Sequence, residues 1–457
     1  MITKLFITRL LTPARMVIGG FGCLILLGTF LLDLPVCQGA KAVGLLDCLF
    51  TATSAVCVTG LITVDTAAAW SAWGQGVILV LIQLGGLGIM TLSVALLELS
   101  GRRLSPRSHL ALRGALGPVS AGEMGRMTRR VIIYTFSLEA LGAVILFFRW
   151  LVDHEPGRAA ALAVFHAVSA FCNAGFSLFS HNLAGLGDDG VVNATVMALV
   201  ILGGMGFLVL RELTSHLPRG RHHRRPPRLS LTSRLVLITS AVLLLVGVVG
   251  LVGFEYLADG GAIWQGSWWA PLFTAVTPRT AGFNTINFGD LSNASLMLIM
   301  MLMVVGASPG STGGGVKTTT VAVLVALAHT RLKGRPGAEV AGRSIPDDQV
   351  SSALALVIGS LTVIVVSAMF LVSIYQPHSQ LGPHHQDVLT MLFEAVSAFC
   401  TVGLSLGVTP HLPALGKIIL IGLMFLGRLG PLTFIYALTQ EAVESRYQLA
   451  REKVLLG

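Results

Sequence analysis

Apolar residues along the chain form long runs and short runs that alternate, with polar and basic segments between them. In chain order, four groups of a long, a short and a second long run cover residues 16–32, 45–56 and 76–97; 131–148, 159–171 and 191–210; 235–253, 268–277 and 296–328; and 351–375, 388–399 and 418–438. The hydrocarbon core of a bilayer requires about 20 apolar residues of helix. The long runs therefore predict eight membrane spans, and the short runs predict helices that enter the membrane and return as loops.

The short runs end in one motif that occurs four times. It reads FTATSAVCVTG up to Gly60, FHAVSAFCNAG up to Gly175 and FEAVSAFCTVG up to Gly403, and the most divergent copy, up to Gly282, reads LFTAVTPRTAG. The four glycines stand 115, 107 and 121 residues apart. Non-helical backbone is tolerated at membrane depth only where protein buries it or water lines it. Four such loops predict a pore with four-fold pseudosymmetry, whose repeats cover residues 1–100, 101–216, 217–335 and 336–457.

The second long run of repeat three is interrupted by GASPGSTGGGVKTTT, residues 306–320. Its glycines and proline do not continue a helix, yet apolar sequence resumes at residues 321–328, so a loop is expected at mid-depth of this span. The segment also resembles a phosphate-binding loop. That interpretation fails because Val316 separates the last glycine from Lys317, and because no strand precedes the motif.

A second alignment places a glycine 24 to 28 residues after each closing glycine, in LGGLG (84–88), LGGMG (202–206), at Gly306 and in LGRLG (426–430). Arg428 stands where repeats one and two have Gly86 and Gly204. An arginine at this depth is costly and faces water or a partner. It is either a positive barrier beside the pathway or an anchor for the interrupting loop. Lys317 is a further cation at depth or reaches the cytoplasmic edge, and Glu139 has no assigned partner.

Composition agrees with a polytopic all-α membrane protein: 54% of residues are hydrophobic, 12% are charged and the mean hydropathy is +0.79. The net charge is +9, and 24 of the 31 lysines and arginines fall in residues 1–15, 101–130, 211–234, 331–350 and 441–457. This is the positive-inside bias, so both termini are expected in the cytoplasm and no nucleic acid is expected as a partner. The basic run at residues 219–228 is explained by topology, with docking of an acidic partner or lipid as the alternative.

Other chemistry is weakly supported. Six cysteines show no metal-binding spacing, and three of them, Cys57, Cys172 and Cys400, occupy one position behind a closing glycine, where a small side chain suffices. Histidines 378, 384 and 385 fit a solvated loop better than a metal site. A membrane enzyme would need clustered acids or a nucleophile, so no enzyme is expected. A secondary transporter of an organic solute predicts two repeats of opposite topology, which four repeats of equal topology oppose.

The four motifs and the interrupting loop resemble the pore repeats of the Trk/Ktr/HKT superfamily of potassium transporters, over nearly the whole chain. The chain is most similar to the membrane subunit of the bacterial Ktr type, because it shows neither an extra helix pair before repeat one nor a long tail. The resemblance implies four M1–P–M2 units with eight spans and four pore helices, and channel-like uptake of K⁺ across the bacterial inner membrane. It also implies a homodimer in lipid, a cytosolic nucleotide-binding regulatory subunit and no covalent cofactor, and it admits Na⁺ as an activator.

The resemblance also implies roles for particular residues. Rings of backbone carbonyls replace the water shell of a dehydrated cation. The implied selectivity filter, which binds K⁺, consists of Val58, Thr59, Gly60, Asn173, Ala174, Gly175, Thr280, Ala281, Gly282, Thr401, Val402 and Gly403. The implied gate consists of Gly306, Ser308, Pro309, Gly310, Ser311, Thr312, Gly313, Gly314, Gly315, Lys317 and Arg428.

Residues around the implied filter carry further expectations. Ser54, Ser169 and Ser397 are expected to form hydrogen bonds behind the filter. Glu394 is either a support of the loop or a satisfied structural carboxylate. The pair Pro278 and Arg279 leaves the loop shape of repeat three open.

Overall fold

The computed structural model describes residues 13–88, 121–215, 229–264, 267–335, 337–340, 342–375 and 385–430. Its helices are α1 (Pro13–Asp33), α2 (Leu45–Val56), α3 (Thr66–Ala69), α4 (Ala72–Gly86), α5 (Ala121–Trp150), α6 (Pro156–Cys172), α7 (Gly190–Gly204), α8 (Phe207–Ser215), α9 (Leu231–Asp259), α10 (Trp269–Val276), α11 (Asn293–Val304), α12 (Thr318–Leu332), α13 (Asp347–Ile374), α14 (His385–Phe399) and α15 (Ala414–Leu429). Short 3₁₀ helices lie at Ala184–Leu186, Ala262–Trp264, Phe288–Asp290 and Thr409–His411. The predicted all-α class is confirmed.

The first helix of each repeat forms the outer layer of the molecule. Among the described residues, the four helices long and apolar enough to cross a membrane are these, α1, α5, α9 and α13, and the bent pair α7–α8 makes a fifth if it counts as one span. Only 17% to 28% of their apolar windows is buried. Large side chains such as Leu26, Phe136 and Met369 are more than half exposed. An exposed apolar surface of this extent belongs against lipid.

The pore helices α2, α6, α10 and α14 form the core, each inside its first helix. Runs of buried residues cover their C-terminal halves, including the side chains of Phe50, Phe165 and Phe393. Polar residues are buried there as well, among them Ser54 and His166, both fully. Buried polar groups are costly unless they form hydrogen bonds, so these side chains need specific partners around the ends of the pore helices.

The second helices of the four repeats are α4, the pair α7 and α8, the pair α11 and α12, and α15. Side-chain caps start three of them, at Ser71, Asp189 and Ser292. The prediction of one unbroken helix over residues 191–210 was wrong, because α7 and α8 meet at 102° where Gly206 has a φ of +82°. Only glycine enters that conformation at little cost.

The second helices of repeats one and four are described up to the equivalent glycines. Gly88 and Gly430 have φ of +82° and +80°, directly after α4 and α15. The rest of the predicted helices, residues 89–97 and 431–438, lies outside the described residues, as do the basic run at 219–228, histidines 378 and 384, and the tail. The break in repeat three was predicted, and it lies between α11 and α12.

The described residues include two short strands, which form one hairpin. Strands β1 (Ala338–Val340) and β2 (Arg343–Ile345) pair antiparallel with Glu339 opposite Ser344. They lie in the basic loop between repeats three and four, and Gly342 turns the chain between them with a φ of +74°. The hairpin leaves the helical architecture unchanged.

Candidate functional site

The four closing glycines meet in one ring. Each touches the neighbouring repeat: an added Cβ would lie 3.1 Å from the Cα of Gly175 if placed on Gly60, and 3.0 Å from the Cα of Gly60 if placed on Gly403. From Gly175 the corresponding distance to Gly282 is 2.8 Å, and from Gly282 to Gly403 it is 3.4 Å. The chain therefore closes the ring in sequence order, as four-fold pseudosymmetry requires. We call these residues the glycine ring.

A backbone carbonyl oxygen of the next repeat lies against each glycine of the ring. An added Cβ on each glycine would press on the carbonyl oxygen of the next repeat, which belongs in turn to Ala174, Ala281, Val402 and Thr59. Glycine is thus required for space as well as for its positive φ, which is +70° to +96° in all four copies. Rings of backbone carbonyls are the arrangement that replaces the water shell of a cation.

A second left-handed residue lies two positions before each glycine. The φ values are +55° at Val58, +60° at Asn173, +65° at Thr280 and +49° at Thr401. Three of these residues are β-branched, for which positive φ is strained and persists only when the surroundings impose it. No sequence pattern predicts this conformation, since valine and threonine disfavour it. Repeat three keeps the common loop shape despite Pro278 and Arg279, and the Arg279 guanidinium turns away to the Ser240 hydroxyl at 2.8 Å.

Hydroxyl groups of the pore helices hold the loops from behind, as predicted. Ser54 Oγ accepts from the N–H of Gly60 at 3.0 Å, and Ser397 Oγ accepts from that of Gly403 at 3.1 Å. Ser169 instead donates to the carbonyl after Gly175, at 2.8 Å. In repeat three, Thr277 makes the corresponding bond to the carbonyl of Phe283. These bonds supply the surroundings that the strained loops need.

A second layer of polar side chains holds the segments that follow the ring. Glu394 is fully buried and accepts from the N–H of Leu406 at 3.0 Å and from the hydroxyls of Thr409, at 2.7 Å, and Ser405. His166, at the same offset in repeat two, contacts Ser177 Oγ at 3.0 Å. Both interpretations of Glu394 therefore hold at once, because it is a satisfied carboxylate that fixes the outer loop.

The second helices press directly on the ends of the pore helices. An added Cβ on Gly85, Gly203 or Gly427 would overlap the carbonyl oxygen of Val56, Phe171 or Phe399, each four residues before a ring glycine. The first glycine of each LGGLG-like motif is therefore a contact point between two helices. Repeat three differs, since Gly306 contacts Gly314 of its own loop.

The glycine-rich loop, residues 306–317, lies against the ring on the side of its left-handed threonines. An added Cβ on Gly313 would overlap the Thr280 hydroxyl, and one on Gly314 would overlap that of Thr401. The N–H groups of Ser308 and Thr312 donate to the carbonyls of Gly204 and Gly203, at 3.1 and 3.3 Å. The loop is thereby tied to repeat two while it covers the ring.

Two cationic side chains donate hydrogen bonds to carbonyls of this loop. The Arg428 guanidinium donates through Nη1 to the carbonyl of Thr312 and through Nη2 to that of Gly85, so it joins the loop to the second helix of repeat one. Lys317 turns back, and its Nζ donates to the carbonyl of Gly313 at 2.8 Å. The contacts expected of an anchor are therefore present. A cavity of about 270 Å³, lined in part by Arg428, Lys317 and Gly313, lies beside them.

Other singled-out residues lie behind this assembly. Cys57, Cys172 and Cys400 are free and fully buried, as expected for small side chains behind the loops. Glu139 is buried, and its partner is the Cys172 thiol, whose Sγ lies 3.7 Å from Oε1. Within the described residues no group of three or more metal-ligating side chains occurs.

The fold and the site define a four-repeat membrane protein whose repeats close a ring of backbone oxygens over a glycine-rich loop. The chain belongs to the TrkH family of cation transport proteins, whose model matches residues 23–445. The resemblance to the Trk/Ktr/HKT superfamily is thus confirmed.

Individual relatives and one solved structure agree with this family assignment. The chain is 35% identical over its full length to the whole of the potassium/sodium uptake protein NtpJ of Enterococcus hirae. It is also 35% identical to the Ktr system potassium uptake protein B of Bacillus subtilis, with 93% of each chain covered. The crystal structure of the potassium transporter TrkH from Vibrio parahaemolyticus has the same fold, with a TM-score of 0.68 over 92% of this chain and 84% of that one, at 21% identity.

Proposed function

We propose that this protein takes up K⁺ across the bacterial plasma membrane by channel-like permeation through the glycine ring. The observation that carries the proposal is the closed ring itself, in which the carbonyl oxygens of Thr59, Ala174, Ala281 and Val402 lie beside the glycines of neighbouring repeats. Carbonyl rings bind a cation in place of its water. The C-terminal ends of the pore helices point toward the ring and add negative potential. In this role the twelve residues singled out from the sequence form the filter.

The glycine-rich loop is proposed as the gate. It contacts Thr280 and Thr401 of the ring, so an ion leaving the ring on that side meets the loop. Arg428 and Lys317 hold its carbonyls, and both add positive charge to the same path. The closed state is thus supported by hydrogen bonds and by repulsion of the ion.

A cytosolic nucleotide-binding subunit is proposed to act on this gate, and a second copy of the chain is proposed to complete the assembly in lipid. The support is the name "Ktr system" of three relatives, which implies a system of several components. The basic loops that alternate with the ring segments support cytoplasmic termini.

Sodium is the second candidate. The relative NtpJ is named a potassium/sodium uptake protein, and it aligns with the whole of this chain. Either Na⁺ activates K⁺ uptake or Na⁺ is carried as well, and the two are separable by experiment.

The test is uptake in cells that lack their own potassium uptake systems. Uptake of K⁺, Rb⁺ and Na⁺ is measured with and without external Na⁺, against cells that carry the empty vector. Saturable K⁺ and Rb⁺ uptake is expected. Equal uptake by both sets of cells, with the protein present in the membrane, would contradict the proposal. Na⁺ that accelerates K⁺ uptake without entering is an activator, and Na⁺ that enters is a substrate.

A further inference from the structure

The side chain of Asn182 lies across two of the four carbonyls of the glycine ring. Its Nδ2 donates to the oxygen of Gly175 at 3.3 Å and to that of Gly282 at 3.4 Å. One carboxamide therefore bridges repeats two and three. Its Oδ1 is buried and has no hydrogen-bond partner among the described residues.

The local structure fixes this carboxamide in place. Asn182 has a φ of +55°, which asparagine tolerates better than most residues. Its N–H donates to the carbonyl of Phe179 at 3.0 Å, and the N–H of Leu183 donates across the repeat boundary to the carbonyl of Asn284 at 3.1 Å. The Leu183 side chain is fully buried. The outer loop of repeat two is thus fastened to the segment that follows the ring in repeat three.

Among the described residues, repeat two alone supplies such a group. The residues seven positions after the other ring glycines are Ala67, Gly289 and Pro410, whose side chains cannot donate a hydrogen bond. In the described part of the chain, the carbonyls of Gly60 and Gly403 accept no side-chain hydrogen bond. Two of the four carbonyl oxygens of the ring glycines therefore accept a side-chain hydrogen bond and two do not, which breaks the four-fold symmetry of these carbonyls.

We propose that Asn182 is a specificity-determining residue that favours K⁺ over Na⁺ at this ring, an inference that rests on the proposed function. Selection between the two ions depends on the spacing and on the field strength of the carbonyls. An N–H bond neutralises part of a carbonyl dipole, and a shared donor limits how far the two oxygens move. Na⁺ is the smaller ion and needs closer, stronger ligands. The amide therefore disfavours Na⁺ more than K⁺.

The experiment compares isotopic K⁺ and Na⁺ flux into proteoliposomes that contain the full chain. Asn182→Gly keeps the positive φ and removes the amide, and Asn182→Asp keeps the shape and removes the N–H donor. Both variants are expected to lower the K⁺/Na⁺ flux ratio by about two- to tenfold. This change corresponds to the free energy that one net hydrogen bond contributes. The melting temperature without K⁺ is measured alongside, because a merely structural role would lower it and leave the flux ratio unchanged.

The control is Asn287→Asp, which adds the same charge in the outer loop of repeat three. Asn287 is exposed and its Oδ1 accepts from Gly289 N–H, an interaction that aspartate preserves, so its ratio should equal that of the unmodified protein. A ratio within twofold of the unmodified value in both Asn182 variants overturns the inference. So does a fall in Asn182→Asp alone, since charge then explains it, and so does failure of both variants to fold. Absence of K⁺ flux in the unmodified protein instead overturns the proposed function.

Discussion

Removal of the Arg428 guanidinium tests the proposed gate most directly. Its two terminal nitrogens hold carbonyls on different elements, Thr312 in the glycine-rich loop and Gly85 in α4. Alanine deletes both bonds and the charge. Lysine keeps the charge, but a single ammonium on a flexible stem does not reproduce the planar fork.

The expected effect follows from the contacts. A net hydrogen bond to a charged group contributes about 1.5–3 kcal/mol, so loss of both destabilises the closed loop by about 3–6 kcal/mol. Repulsion of a K⁺ ion at about 4 Å adds about 4 kcal/mol at an effective dielectric near 20. Each 1.4 kcal/mol corresponds to about tenfold in rate, so even a fraction of these energies raises maximal flux at least tenfold. The loop does not unfold, because Ser308 and Thr312 keep their bonds to Gly204 and Gly203.

The assay is rubidium flux in proteoliposomes at matched protein density, for the unmodified chain, Arg428→Ala and Arg428→Lys. Arg428→Ala is expected to raise maximal flux with K⁺ affinity nearly unchanged. Arg428→Lys is expected to behave like alanine if the anchor dominates and like arginine if charge dominates, and the two-element contact favours the first. The control is Lys417→Gln. Lys417 lies in the first turn of the same helix, at the opposite end from Arg428, and pairs with Asp47 at 2.8 Å. A well-folded Arg428→Ala protein with lower flux would refute the reasoning.

Three further predictions concern the ring, the loop and the helix contacts. Gly403→Ser should weaken selection of K⁺ over Na⁺, because its φ is +90° and its Cβ would overlap the Thr59 carbonyl; unchanged selectivity and affinity here and in the same change at the other three ring glycines would sink the filter assignment. Deletion of residues 313–315 should raise flux and reduce dependence on the cytosolic subunit, and loss of transport from a folded protein would count against the gate. Gly203→Ala should lower the free energy of unfolding by about 1–3 kcal/mol, since its Cβ would overlap the Phe171 carbonyl. Gly422→Ala is its control, because nothing lies within 4 Å of the added Cβ, and equal melting temperatures would contradict the packing argument.

Most of the fold could be predicted because hydrophobic length and an internal repeat are long-range signals. A membrane demands helices of set length, and a motif that occurs four times predicts both symmetry and the meeting of Gly60, Gly175, Gly282 and Gly403. The serines behind the ring were found for the same reason, as they recur at one offset.

The remaining features of the fold and the site depend on single contacts that the repeated motif does not predict. Val58 and Thr401 adopt left-handed backbone against their own preference, since the folded surroundings impose it. The bend at Gly206 lies within a continuous apolar run, so hydropathy alone predicts a straight helix there. Asn182 occurs once, in a loop, and its partners lie 7 and 100 residues away in the chain.

The bend at Gly206 separates two helices, α7 and α8, that contact different parts of the site. The outer half, α7, has no clearance from the pore helix at Gly203. The inner half, α8, begins at Phe207, whose N–H donates to the carbonyl of Gly310 in the glycine-rich loop at 3.2 Å. A displacement of α8 would therefore act on the loop directly through this bond, and on α7 through the left-handed Gly206. In the proposed function, a motion of α8 would be transmitted to the gate through this hydrogen bond.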